Sequence, residues 1–197
     1  VGPYVLLDRH GWRAAGHAIP AYGLAAVAGS HAWLRQSELA VPLYEQALRE
    51  SAPRVPGDIS AGLVYAYLDT GRPGLAIPHL RKLVNMGQDN IVALNNMAVA
   101  YTRVGEFEKA TKMFTEALQK NAANSVTYYN LAVCYAHQSM VEQAVEILAR
   151  AASSFGQGFV GAWMQSKDFD TIRNSSQFVN LQNQINSTGD GTVEGAA

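Results

Sequence analysis

Side chains capable of reactive chemistry are sparse in this 197-residue chain: five histidines, His10, His17, His31, His79 and His137, and one cysteine, Cys134. A metal site needs two or more ligands at helical or hairpin spacing, and these histidines form no such pair and have no carboxylate placed consistently beside them. They read as surface or packing residues. A nucleophilic thiol needs a neighbouring histidine or cation to lower its pKa. Cys134 sits instead in the run Leu131-Ala132-Val133-Cys134-Tyr135 and reads as a buried structural thiol. A single cysteine also excludes an intramolecular disulfide framework. The glycine pairs Gly71/Gly74 and Gly156/Gly158 lack the lysine that follows a phosphate-binding loop, so they read as turns. No catalytic residue, metal ligand or cofactor is assigned, and the expectation is a chain that is not an enzyme.

What the sequence does show is periodicity. In the stretch Ile91 to Asn124, Leu94, Met97, Ala98 and Tyr101 fall at three-four spacing on one helical face. Gly105 breaks the pattern, and Ala110, Phe114 and Ala117 make a second face. The reading is helix, turn, helix. A shift of 34 residues toward the C-terminus brings Tyr128, Leu131, Ala132 and Tyr135 into the first set, followed by Ala144, Leu148 and Ala151. The opposite shift brings up Leu63, Val64, Tyr67, Gly71, Ala76, Leu80 and Leu83, with Gly71 in register with Gly105.

This 34-residue period of helical pairs, with small, aromatic and glycine residues at these offsets, resembles the tetratricopeptide repeat. Leu94 stands where that repeat carries tryptophan, and Ala122 where it carries a late proline. The resemblance implies an all-α, right-handed solenoid of about four helix-turn-helix repeats, at 21–54, 57–90, 91–124 and 125–158, closed by a C-terminal capping helix. Residues 1–20 match no repeat and read as an N-terminal lead-in segment, 159–186 as capping helices and 187–197 as a disordered tail. In the last helix Phe178, Leu181 and Ile185 share one face opposite Gln177, Asn180 and Asn183, the pattern that seals the apolar end of an array. The segment Asp168-Phe169-x2-Ile172-Arg173-x4-Phe178-x2-Leu181 also looks like a closing segment of this family. Pro42 and Pro78 share a register position, which predicts second helices that begin late or kink. Asn90 and Asn124 are predicted N-caps.

Net charge is −1, giving no electrostatic case for nucleic acid. Charged residues make up 16%, against roughly 25% in soluble domains, which reads either as an alanine-rich helical core or, slightly favoured, as some surface covered by a partner. Ala14 to Leu34 carry no formal charge, but Gly16, Pro20, Gly23 and Gly29 break the stretch, and it reads as the first repeat's opening helix rather than a membrane span. Membrane contact is expected only through a partner. The chain begins at Val1, and loss of an organellar or export presequence is one expectation; the compartment stays open.

In the resembled family the first helices of successive repeats line a concave groove. Mapped here, the groove takes Asp58, Ala61, Gly62, Tyr65, Leu68 and Asp69 from the second repeat. The third adds Val92, Asn95, Asn96, Val99, Thr102 and Arg103, and the fourth Val126, Tyr129, Asn130, Val133, Ala136 and His137. Asn96 and Asn130 hold the same register and are expected to stack as two rungs, offering amide donors and acceptors to an extended peptide backbone. The mapped groove holds one arginine or lysine, Arg103, beside Asp58 and Asp69, so the family's clamp for a terminal carboxylate is not expected. The predicted ligand is an apolar protein or peptide segment, and the predicted role a scaffold, adaptor, assembly factor or peripheral subunit of a complex. The alternative is the repeat region of a larger enzyme or regulator, and self-association is a further possibility.

Overall fold

The computed structural model describes residues 21–51, 57–85 and 91–189. The lead-in segment 1–20, the expected cap Asn90 and the end of the tail, 190–197, lie outside them. Ten α-helices run through the described residues, and the chain is an all-α helical repeat solenoid. They are α1 (Ala21–Trp33), α2 (Ser37–Glu50), α3 (Gly57–Asp69), α4 (Pro73–Asn85), α5 (Ile91–Arg103), α6 (Phe107–Lys120), α7 (Ser125–His137), α8 (Val141–Phe155), α9 (Gln157–Met164) and α10 (Ser176–Gly189). A 3-10 turn at Lys167–Phe169 precedes α10. None of the described helices is long and apolar enough to cross a membrane. Two compact units divide between Ala93 and Leu94.

The helical pairs are closed by one turn design. After α5, Gly105 takes φ +81°; its N–H donates to Thr102 O at 3.1 Å and the next N–H, of Glu106, to Tyr101 O at 2.9 Å. Those two bonds satisfy the last carbonyls of a helix that would otherwise lack partners. The same pair recurs after α1, α3 and α7, where Arg35, Gly71 and Ser139 hold the left-handed position at φ 60°, 70° and 56°. Only glycine adopts that backbone without steric cost. Ser139→Gly should therefore raise the urea midpoint, by up to about 1 kcal/mol in stability; an unchanged or lowered midpoint would contradict this account of the turn.

In the first unit α1 packs on α2, α2 on α3, and α3 on α4. Its core is Leu24 and Ala28, then Ala40, Tyr44 and Ala47, then Leu63, Val64 and Tyr67, then Ala76, Leu80 and Leu83, all buried. Pro42 and Pro78 do not delay their helices. Both α2 and α4 start five residues earlier and run through the proline. Each proline lies on the exposed side, while Val41, Leu43 and Tyr44 in α2 and Ala76 and Leu80 in α4 are buried around it. Burial outweighs the one amide donor that proline removes.

Tyr67 links helices within this unit, donating its hydroxyl to Glu45 Oε1 at 2.7 Å with its ring 6.0 Å from that of His79. Burial, the hydrogen bond to Glu45 and that carboxylate's charge push the Tyr67 phenol up to about 12, against the opposing charges of Arg72 and Arg49. The ordinary value is 10.0. A raised acid pKa means that the folded state holds the proton more tightly than the unfolded one. The stabilisation is thus fully present below about pH 10 and is lost as pH rises toward 12. Tyr67→Phe should flatten the fall in stability across that window, and an identical alkaline fall in the variant would show that Tyr67 is not its source.

In the second unit α6 packs on α7, α7 on α8, and α8, α9 and α10 on one another, with the 3-10 turn against α7. Asn124 caps α7, its side chain accepting from Thr127 N at 3.1 Å. Phe114, Leu148, Val160, Met164, Phe169, Ile172 and Phe178 are buried, and Leu181 and Ile185 of α10 face the same interior. Gln177, Asn180 and Asn183 are exposed on the other side of α10. That helix runs to Gly189, three residues into the stretch expected to be disordered.

Candidate functional site

The first-unit residues mapped to a groove divide into different roles. Tyr65 is 56% exposed and free of the core. Asp69, at the end of α3, accepts from Ser37 Oγ at 2.6 Å and pairs with Arg35 at 4.0 Å, so it fastens α3 to the α1–α2 turn. Arg72, just after α3, and Glu38, in the first turn of α2, 2.6 Å apart, make a second link there. Leu68 is buried. Gly62 is the close-approach point of α2 on α3: a Cβ there would lie 2.5 Å from Tyr44 Cζ. Gly62→Ala should thus cost about 1–3 kcal/mol through displacement of that ring, measurable by thermal melting; a neutral result would mean that the ring has room to move.

The second unit holds the better-formed face. Three-four spacing brings Val126, Tyr129, Asn130, Val133 and His137 to one side of α7. Val126 and His137 are exposed, and Tyr129, Asn130 and Val133 half-buried. From α5 come Asn96, Val99 and Thr102, half-buried, and Arg103, exposed. Thr102 turns its hydroxyl back onto Ala98 O at 3.0 Å. Asn95 was expected to face a ligand but is 7% exposed. Its Oδ1 accepts from Asn130 Nδ2 at 3.2 Å. The amide pair between repeats thus joins Asn95 to Asn130, whereas the expected rung was Asn96 on Asn130. Equal register and nearest approach differ here by one residue, because the side chain of Asn130 reaches the residue before its counterpart.

Tyr129 is no free groove residue either. Its hydroxyl bonds to Asp168 Oδ2 at 2.5 Å and to Ser166 Oγ at 2.9 Å, and its ring meets those of Trp163 at 5.4 Å and Phe169 at 5.8 Å, both edge-on. Burial and then the hydrogen bond to Asp168 push its phenol upward. The closing segment therefore docks on the α7 face through Tyr129. Trp163 in turn meets Phe159 at 5.0 Å, and Phe159 is 51% exposed. The sequence reading assigned neither aromatic to the site. The signal was present, since Trp163 lies 34 residues after Tyr129, one further period along.

Cys134 is wholly buried, and burial raises its thiol pKa, against hydrogen bonds from Thr102 and Gln138. That environment suits packing and disfavours a reactive thiolate. Among the described residues no group of three His, Cys, Asp or Glu side chains could hold a metal. A cavity of about 310 Å³ opens between α6, α7 and α8, with Tyr128, Leu131 and Ile147 as its floor and Gln119, Gln143 and Arg150 on its walls. The Arg150 guanidinium lies over the Tyr128 ring at 5.8 Å.

These repeated helical pairs, with left-handed turns in one register, make a helical-repeat fold of the tetratricopeptide type. A family model for that repeat matches residues 101–157. Among curated proteins, the uncharacterized protein y4yS of Sinorhizobium fredii (strain NBRC 101917 / NGR234) is 31% identical over 101 residues, 50% of this chain and 56% of that protein. The match therefore spans about half of that relative's length. Among solved structures, YrrB, described as a TPR protein with an unusual peptide-binding site, superposes with a TM-score of 0.63 at 21% identity, covering 71% of each chain. MamA from Desulfovibrio magneticus RS-1 gives 0.62 at 13% identity, covering 88% of this chain and 99% of the other. Such identities speak for the fold alone.

Proposed function

We propose that this protein is a non-enzymatic scaffold that holds an extended, mainly apolar segment of a partner protein along the α5–α7 face of its second unit. The observation that carries the reading is the amide pair of Asn95 and Asn130, with half-buried Val99 and Val133 on the same two helices. An asparagine amide offers two donors and an acceptor, more than one mutual bond consumes, so the half-buried Asn130, held by buried Asn95, can also bond a peptide backbone without selecting its sequence. The valines supply apolar contact for alternate side chains of an extended segment. YrrB, with its peptide-binding site, supports the same class of ligand by fold analogy. The adaptor, assembly or peripheral-subunit role belongs to this reading, as does the partner's apolar character.

A photo-crosslinking residue installed at Asn96 tests it. Asn96 is half-open on the proposed face, whereas Lys120, at the end of α6, is exposed outside it. Cross-links to a partner polypeptide in cells should form from position 96 and not from position 120. Equal yields from both would discard the face. Tyr129 is unsuitable for such a test, because its substitution would release the closing segment.

A further inference from the structure

The α7 face does not end at the amide pair. Beyond it stand Tyr129, Trp163 and Phe159, three rings in succession at 5.4 and 5.0 Å, with exposed Val126 on the same side of α7. Tyr129 also fixes a carboxylate beside these rings: Asp168 Oδ2 takes the hydroxyls of Tyr129 and of Ser166, the latter at 3.0 Å. Asp168 is exposed, and its other oxygen, Oδ1, takes part in none of the hydrogen bonds among the described residues. Of the nearby charges, Arg173 is bound to Asp170 and to backbone carbonyls, and Lys167 is exposed on the 3-10 turn. The half-open indole of Trp163 and the anchored carboxylate of Asp168 both meet Tyr129, one at its ring and one at its hydroxyl, so a flat apolar wall and a fixed negative charge share one side chain. That pairing suits a planar cation: a guanidinium can lie on an aromatic face while its N–H groups bond a carboxylate, which a compact ammonium does less well.

We propose that Trp163, Phe159 and Asp168 form an anchor subsite that takes an arginine side chain of the bound segment. This rests on the reading of the α5–α7 face as a polypeptide-binding surface and adds to it a charge preference opposite to that of a carboxylate clamp. Asp168 supplies the counter-charge, Trp163 the stacking surface, and Tyr129 and Ser166 hold the carboxylate in place.

The probe is a capped apolar hexapeptide carrying one arginine, with a twin in which citrulline, flat and neutral, replaces it. Both are titrated into the full chain while the indole N–H signal of Trp163 is followed by NMR, assigned against Trp12 and Trp33 with Trp163→Phe. The arginine peptide should move that signal and bind roughly tenfold tighter than the citrulline twin. The preference should shrink on adding salt and vanish in Asp168→Asn, whose fold is checked by melting. The salt series on the unmodified chain keeps the test decisive if that variant is unstable.

Equal binding of the two peptides, or no movement of the Trp163 signal, overturns the anchor. If equal binding is nevertheless weakened in Asn130→Ala, the groove reading survives and the arginine subsite alone fails. If the arginine preference persists in Asn130→Ala with undiminished affinity, the subsite stands and the amide pair loses its role. If neither peptide binds, the anchor is overturned and the cross-link at position 96 judges the groove on its own.

Discussion

Phe178→Ala is expected to destabilise the second unit by about 3–5 kcal/mol. Phe178 is fully buried, and its ring lies 5.9 Å from that of Phe169, itself fully buried. Val160 and Met164 of α9, Ile172, and Leu181 and Ile185 of α10 are buried in the same unit. Deleting the ring removes its transfer free energy and leaves a hole that well-packed neighbours fill only in part. Gly161 shows how closely α9 and α10 approach: a Cβ there would stand 3.1 Å from Ile185 Cγ2. Urea unfolding followed by far-UV circular dichroism measures the loss, and hydrogen exchange should show α10 amides losing protection before those of α6. A loss under about 1 kcal/mol would mean that α10 is an appendage rather than the seal of the core.

Arg173→Ala ranks second, with an expected loss of about 2–3 kcal/mol. Its guanidinium bonds Asp170 Oδ1 through Nε at 3.0 Å and Nη2 at 2.8 Å, Met164 O through Nη1 at 2.9 Å and Ser166 O through Nη2 at 2.6 Å. Met164 ends α9, so the cation also sits at the negative end of that helix. Lysine restores the charge but lacks the planar fork that reaches several acceptors at once. Arg173→Lys should consequently recover less than half of the loss. Full rescue by lysine would assign the effect to charge alone. Because the same guanidinium holds the carbonyl of Ser166, Arg173→Ala should also weaken arginine-peptide binding if the anchor subsite is right.

How much of this was legible in the sequence depends on the kind of contact. Core positions were largely readable because burial repeats with the helix: Leu94, Ala98, Tyr101, Ala110, Phe114 and Ala117 are buried, as are their counterparts Leu63, Val64, Tyr67, Ala76 and Leu80, whereas Met97 and Tyr135 of the same faces are half-buried. The turn glycines were readable for the same reason, although Arg35 and Ser139 fill equivalent left-handed positions with residues that carry no such signal. Side-chain pairing was not. Asn95 and Asn130 meet across an offset of 35 residues, and Asp69 is used by Ser37 across 32, distances that a 34-residue register does not distinguish. Tyr129 shows the limit most clearly, since its mapped position was open to solvent until the closing segment, 37 and 39 residues onward, brought Ser166 and Asp168 to its hydroxyl.

Those offsets have a mechanical consequence. The bonds that join one helical pair to the next, Ser37 to Asp69, Glu38 to Arg72, Asn95 to Asn130 and Tyr129 to Asp168, each close a loop of 32 to 39 residues. Such short loops cost little entropy to close, so helical pairs can form from their neighbours outward without waiting for distant partners. Under a pulling force within either unit, the same locality lets an end pair peel away while the pair behind it keeps its contacts. Each unit then behaves as a spring that lengthens in repeat-sized steps.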